Sequence, residues 1–181
     1  NPENTYLRNF SDEGQILPLG IKGEGLFKEI KRIFEKKNKS QINQILKELR
    51  ILDWFDSFSI PQYSFPGEKA FQIKDKYLSE TTDFFDQRIA NEGFLFLLFY
   101  FTLLISEKTP SFFAIDNIDS SLNPKLCSEL IIRMTKISKS KKKQFIATTH
   151  NPFILDGLDL RDESQRLFVV SRNIYGETNV N

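Results

Sequence analysis

The chain has 181 residues, the length of one domain, and its 40% hydrophobic and 27% charged residues give a globular balance that excludes intrinsic disorder. Lys and Arg number 25 against 24 Asp and Glu, so at a net charge of +1 no global field draws the chain to DNA or to an acidic membrane; such a contact has to be local. The single cysteine, Cys127, excludes an intrachain disulfide and a Cys-cluster zinc site and fits a reducing cytoplasmic setting.

The first 22 residues carry turn signals at Asp12-Glu13-Gly14 and around Pro18 and Gly20 and predict loop with short extended pieces. From Gly25 to Lys37 the apolar positions Leu26, Phe27, Ile30, Ile33 and Phe34 have amphipathic helical spacing. After a polar break, Ser40 is placed to cap a second helix with Ile42, Ile45, Leu46, Leu49 and Leu52 on one face. Phe55 to Lys74 alternates but is broken by Pro61, Pro66 and Gly67, the pattern of edge strands or a hairpin. Tyr77 to Ile89 reads as a helical or irregular approach to the apolar segment beyond it. The run Phe94–Ile105 is apolar on every side yet well short of the roughly 20 residues a bilayer span needs, so it predicts a buried helix and no membrane partner.

The second half is more regular. Phe112–Ile115 is a short apolar strand, Leu122 to Ser138 a helix, and Gln144–Thr148 a second strand. Arg166–Ser171 reads as a third, and Asn173–Gly176 as a turn into a last one. Strands separated by helices predict an α/β fold with a mostly parallel sheet covered by helices.

Two strand ends carry chemistry. Asp116 ends the first strand, where a carboxylate points into the crevice beyond the sheet and suits Mg2+, a hard ion that takes oxygen ligands. Thr148-Thr149-His150-Asn151-Pro152 ends the second and sets the only histidine beside the same crevice. The plainer alternatives are a carboxylate that caps the next loop and a solvated histidine. Cys127 lies in a helical apolar pattern and reads as a packing residue rather than a nucleophile partner of His150. Lys139 to Lys143 reads as a solvated connection, with contact to nucleic-acid phosphates as the alternative.

Asn91-Glu92-Gly93, then Phe-Phe-Ala-Ile-Asp116-Asn-Ile-Asp-Ser-Ser-Leu-Asn-Pro124, then Thr-Thr-His150-Asn-Pro, in that order, resembles the second half of an ABC-type ATPase head of the SMC/RecF-like kind, a class that includes ATPases of anti-phage defence systems. The resemblance implies a P-loop NTPase fold that is incomplete, with residues 1–89 as an edge segment and helical insertion and residues 90–181 as the Walker B and signature half. It implies that Asp116 holds Mg2+ through water and that His150 contacts the γ-phosphate or the attacking water. Asn91, Glu92 and Gly93 would form the signature loop at a helix N-terminus. Ser120 to Asn123, with Ser121, would be a D-loop at the interface of a homodimer that sandwiches ATP. An effector protein or nucleic acid is the further partner the class allows.

Two departures bear on activity. Asn117 stands where most members have a glutamate, and an amide orients water without accepting its proton; Asp119 or His150 is the substitute base. No G-x-x-x-x-G-K-[ST] loop is present: Gly20 to Gly25 has the glycine spacing, but Leu26-Phe27 follows. With no initiator Met, this predicts a carboxyl-terminal portion of a longer ATPase, a portion that alone binds ATP weakly or not at all and is inactive. A non-catalytic interaction module is the second reading, and a metal-dependent nuclease using Asp116 and Asp119 the third.

Overall fold

The computed structural model describes residues 2–9, 18–37, 39–61, 71–78 and 84–181; the turn expected at 12–14 and the Pro66–Gly67 break lie outside the described residues. In chain order, a helical turn at Asn4–Leu7 (α1) precedes the helices Leu26–Glu35 (α2) and Ser40–Leu49 (α3). Strands Phe55–Ser59 (β1), Gln72–Asp75 (β2) and Phe84–Asp86 (β3) form an antiparallel sheet in that order. A 3-10 turn at Gln87–Ile89 leads to the helix Glu92–Ile105 (α4), the strand Phe112–Ile115 (β4), the helix Pro124–Lys141 (α5) and the strand Gln144–Ala147 (β5). A 3-10 segment comes next at Pro152–Gly157, and Val170–Arg172 (β6) pairs with Thr178–Val180 (β7).

Because α4 is apolar all round, it has to be covered all round, and every residue from Gly93 to Ile105 is buried. The other four helices pack on it. The phenylalanines fill the space between α4 and the antiparallel sheet. Phe94 meets Trp54 and Phe55 at 5.6 Å between ring centres, and Phe71 meets Phe58 at 4.6 Å and Phe27 at 5.1 Å. No helix among the described residues is long and apolar enough to cross a membrane.

The buried carboxyl end of α4 leaves carbonyls that need partners. The Lys143 ammonium supplies them, donating to the carbonyls of Leu103 (2.9 Å) and Ser106 (2.7 Å) and to the Thr109 hydroxyl. Beside it the Ser106 hydroxyl donates to buried Glu29, which Arg32 clasps from the next turn of α2 at 2.7 Å. Lys143 thus belongs to the core, not to the solvated connection its sequence context predicts.

Three expectations are corrected. The parallel sheet is confined, among the described residues, to β4 and β5, which pair from Phe112↔Gln144 to Ile115↔Ala147. The strand expected at Arg166–Ser171 starts only at Val170 and folds back on β7. The turn Asn173–Gly176, with Gly176 at φ +81°, closes that hairpin locally, a cheaper loop than a return to the distant parallel pair. Ser40 is the first helical residue of α3 rather than its cap, a position Lys39 holds.

The glycine-spaced stretch 20–25 is a closed turn. Gly23 (φ +91°) has no room for a Cβ against Leu7, and the Gly25 N–H donates to the Leu19 carbonyl at 2.9 Å. The Lys22 N–H donates to the Glu24 carboxylate at 2.9 Å. Amides committed in this way, next to an acid, do not cradle phosphate.

Lys143→Met is expected to cost about 2–3 kcal/mol in chemical denaturation, since buried acceptors lose their donors. Burial, then the Lys141 charge, lowers the Lys143 ammonium from 10.5 to about 8. Between those values the unfolded chain binds the extra proton, so wild-type stability should rise relative to the variant from pH 8 to pH 10. A gap that stays constant or narrows there contradicts this account.

Candidate functional site

The pairing of β4 with β5 continues past both strands. The Thr148 N–H donates to the Ile115 carbonyl (2.9 Å) and the Ile118 N–H to the Thr148 carbonyl (3.0 Å). Side chains then join the two loops. The Thr148 hydroxyl donates to the Asp116 carboxylate and accepts from the Asn117 N–H at 2.9 Å. The Thr149 hydroxyl donates to Asp119 at 2.5 Å and accepts from the Asn151 N–H at 3.0 Å. Asp116, Asn117, Asp119 and the exposed His150 therefore stand at the carboxyl ends of two adjacent parallel strands, with consecutive threonines of one loop holding two carboxylates of the other. That end of a parallel sheet is where ligands bind in open α/β folds.

The start of α4 reaches the same region. A Cβ on Gly93 would lie 2.9 Å from the Ser121 carbonyl oxygen and 3.4 Å from Leu122, so this glycine lets the helix start press against the loop after β4. Asn91 occupies the cap position, but its side chain makes no capping hydrogen bond, unlike the capping role its residue type predicts. Glu92 lies in the first turn. Asn91, Glu92, Gly93 and Ser121 are thus brought together within one chain.

The loop after β4 takes an unusual path. Asn117 (φ +48°) and Ser121 (φ +60°) both adopt the left-handed region, which asparagine tolerates far better than glutamate does. The backbone thus gives a physical reason for an amide at this position. The asparagines of the two Asn-Pro turns cap the segments that follow them. Asn123 accepts from the Leu126 N–H at 2.9 Å at the head of α5, and Asn151 accepts from the Phe153 N–H at 3.0 Å. Cys127 is buried, accepts weakly from the Asn151 amide (3.5 Å), and has its acidity suppressed by burial and then by Asp119.

A family described as "AAA domain, putative AbiEii toxin, Type IV TA system" matches residues 18–156, more than half of the chain. The chain belongs to this AAA-domain family. The family sets it among ATPase-type nucleotide-binding proteins. A solved structure reported under "Structural biochemistry of ATP-driven dimerization and DNA stimulated activation of SMC ATPases" is similar at 18% identity and a TM-score of 0.52, covering 77% of this chain and 83% of that one. At that identity the likeness speaks for the fold, a P-loop NTPase-like α/β arrangement. No curated protein sequence matches.

In this AAA domain the exposed Asp116 carboxylate offers oxygen to a cation, and no group of three or more His, Cys, Asp or Glu side chains could hold a metal among the described residues. That donor set fits Mg2+, which keeps most of its waters and binds through one or two carboxylates and nucleotide phosphates.

Sequence reasoning passed over Thr148, Thr149 and Tyr100. The threonines flank the histidine, and their signal was the Thr-Thr pair itself. Tyr100, on α4, has a buried hydroxyl with no hydrogen-bond partner among the described residues. Burial and then Asp119 push its acidity far from the ordinary range.

Thr148→Val, which keeps the shape and removes the hydroxyl, is expected to cost about 1 kcal/mol by denaturation. Tyr100→Phe is expected to be neutral or to stabilise by about 0.5–1 kcal/mol, because the hydroxyl it removes is already unpaired. A loss above about 1 kcal/mol for Tyr100→Phe would reveal a partner for that hydroxyl.

Proposed function

We propose that this AAA domain is the Walker B, signature and switch-histidine portion of an ABC-type ATPase that binds ATP with Mg2+, hydrolyses it slowly, and switches between monomer and nucleotide-bridged dimer. The observation that carries the reading is the joining of the Asp116 and His150 loops through Thr148 and Thr149 at the carboxyl ends of paired parallel strands. The ordered motifs and the family match support it.

Asp116 would hold Mg2+ through water, and the Thr148 hydroxyl, spent on one carboxylate oxygen, would fix the orientation of the other. The cation, when bound, neutralises charge on the transferring phosphoryl group. His150 would contact the γ-phosphate or orient the attacking water. Asn117 would orient water without taking its proton, and since phosphoryl transfer depends mainly on positioning and charge stabilisation, the rate is slowed rather than abolished. Asp119, held by Thr149, is the nearest substitute base on that loop. The Asn91–Gly93 loop, at the N-terminus of a long helix, presents free N–H groups and a positive dipole end to phosphate. In the dimer of the ABC class this loop and the Ser121 loop would face the partner's nucleotide; that a similar solved structure is reported with ATP-driven dimerization supports a nucleotide-bridged dimer.

Phosphate-cradling amides would come from a segment outside these 181 residues. The sequence has no such loop, and its glycine turn is closed. The exposed face of the parallel pair, with Phe112 at 55% and Ile146 at 59% exposure, is consistent with more sheet and helix covering it. A role in anti-phage defence, in the cytoplasm and through an effector or nucleic acid, is drawn from the resemblance.

The alternative of a non-catalytic interaction module rests on Asn117 and the missing phosphate loop. The nuclease reading would use the same Asp116 and Asp119 carboxylates with a metal, and cleavage of nucleic acid with Mg2+ or Mn2+ in the absence of ATP would distinguish it.

In the native polypeptide, Asp116→Ala and His150→Ala are each expected to lower ATP turnover by roughly a hundredfold. Asp116→Ala should also weaken ATP-dependent dimerisation in sedimentation. Unchanged turnover and dimerisation in both variants would leave the interaction module as the better reading. Asn117→Glu should raise turnover severalfold despite about 1 kcal/mol of backbone cost at its positive φ.

A further inference from the structure

The first residues of the chain carry no periodic signal, yet the structure gives them a defined place. Leu7, on α1, is fully buried and occupies the space where Gly23 would carry a Cβ. The Glu3 N–H donates to the Lys22 carbonyl at 2.9 Å, and the Lys22 ammonium pairs with the Glu3 carboxylate at 3.0 Å. The α1 turn is thereby tied to the closed glycine turn ahead of α2. From that base the Arg8 side chain crosses to a segment 80 residues away in sequence. One guanidinium nitrogen, Nη1, donates to the Arg88 carbonyl at 2.6 Å and to the Ala90 carbonyl at 2.8 Å. Ala90 adjoins Asn91, the first residue of the loop that opens α4.

We propose that Arg8 is a positioning residue for the Asn91–Gly93 loop, holding it in the shape that meets the nucleotide carried by a second copy of the protein.

A helix start leaves free N–H groups, and a side-chain cap is the common way to satisfy them and to fix the entry of the chain. Asn91 makes no such bond. The carbonyls on either side of Ile89 are instead gripped from outside by one guanidinium. On the other side Gly93 lies against the loop after β4, where a Cβ would stand 2.9 Å from the Ser121 carbonyl oxygen. The loop is therefore held from two directions, while the Asn91 side chain is not spent on the helix. The charge matters as well. The amino end of a helix is already positive, so a cation beside it is disfavoured and an anion there is stabilised. Among the described residues no carboxylate pairs with Arg8, and Glu92 is the acid of the first helical turn. A neutral donor would hold two carbonyls without that repulsion. The guanidinium adds a fixed positive charge beside the loop to which the ATPase reading assigns a phosphate, and its Nε and Nη2 groups are not used on the two carbonyls. This role rests on the ATPase reading and goes beyond it, because Arg8 lies outside residues 18–156 that match the family and outside every motif of the site. Arg8 acts through the loop, so its loss is felt in the neighbour's reaction rather than in the protein's own affinity for nucleotide.

In the native polypeptide, Arg8→Ala is expected to lower ATP turnover by roughly tenfold to a hundredfold and to weaken ATP-dependent dimerisation in sedimentation. The affinity of the monomer for a fluorescent ATP analogue should stay at the wild-type value. Mixing variants separates positioning from misfolding. Random exchange of Arg8→Ala with His150→Ala protomers gives dimers in which one of the two sites joins an intact His150 to a loop held by an intact Arg8. Turnover should then recover to about a quarter of wild type. Asn9→Ala, which removes the Asn9 side-chain bond to the Thr5 carbonyl at the same turn, should leave turnover unchanged. If Arg8→Ala does not fold, Arg8→Lys, which keeps an ammonium for one of the carbonyls, should show a smaller fall and, mixed with His150→Ala, turnover above the mean of the two variants. Wild-type turnover in the Arg8 variant, no recovery on mixing, weakened nucleotide affinity of the monomer, or an equal loss in Asn9→Ala would each overturn the proposal and leave the ATPase reading in place. An inactive wild type would overturn both.

Discussion

The parallel pairing of Phe112–Ile115 with Gln144–Ala147 is the constraint on which the candidate site depends. Parallel strands release both chains at the same end, so the residues just beyond them are neighbours whatever their separation in sequence. Here those residues are Asp116 on one strand and Thr148, Thr149 and His150 on the other. The threonines convert neighbourhood into fixed geometry by donating to Asp116 and Asp119. The pair is held from below by α5, and the polar plug of Lys143 at the foot of α4 anchors the point where β5 begins. Loss of register between these two strands would separate every catalytic candidate at once.

The buried helix α4 ties that pair to the rest of the chain. Its amino end presses Gly93 against the Ser121 carbonyl, and its carboxyl end is sealed by Lys143 and by Glu29 through Ser106. Between the two ends the whole surface is apolar and is covered by the other helices and by the aromatic cluster around Phe94. A helix so thoroughly enclosed shifts only together with its neighbours. It is therefore a rigid spacer between the Asn91–Gly93 loop and the Lys143 plug.

Much of this was legible in the sequence, for identifiable reasons. The helices α2, α3 and α5 arise from 3.6-residue periodicity, and α4, β4 and β5 from unbroken apolar runs of contrasting length. Asp116 was legible because it comes directly after such a run, and His150 because it follows one by three residues as the only histidine of the sequence. Other features left no periodic signal. β3 has only three residues, too few for alternation to register. β6 pairs with the nearest strand because a short turn makes that closure cheap, whereas sequence alternation alone is silent about partners. Lys143 sits in a charge run that reads as solvent-facing, and its burial depends on carbonyls contributed by residues some 40 positions earlier. The Thr148 and Thr149 clasps depend likewise on the tertiary pairing of two loops. The left-handed backbone at Asn117, which asparagine tolerates better than glutamate does, is a property of the turn that no residue count displays.

The most direct test of the convergence of these loops is paramagnetic line broadening of the labelled chain by Mn2+ with ATP at millimolar nucleotide. Broadening is expected at Asp116, Asn117, Thr148 and the His150 ring, with signals near Lys108 and Lys142 unaffected. Broadening around Asp116 that leaves His150 sharp, or broadening centred on any other part of the surface, would contradict a shared site.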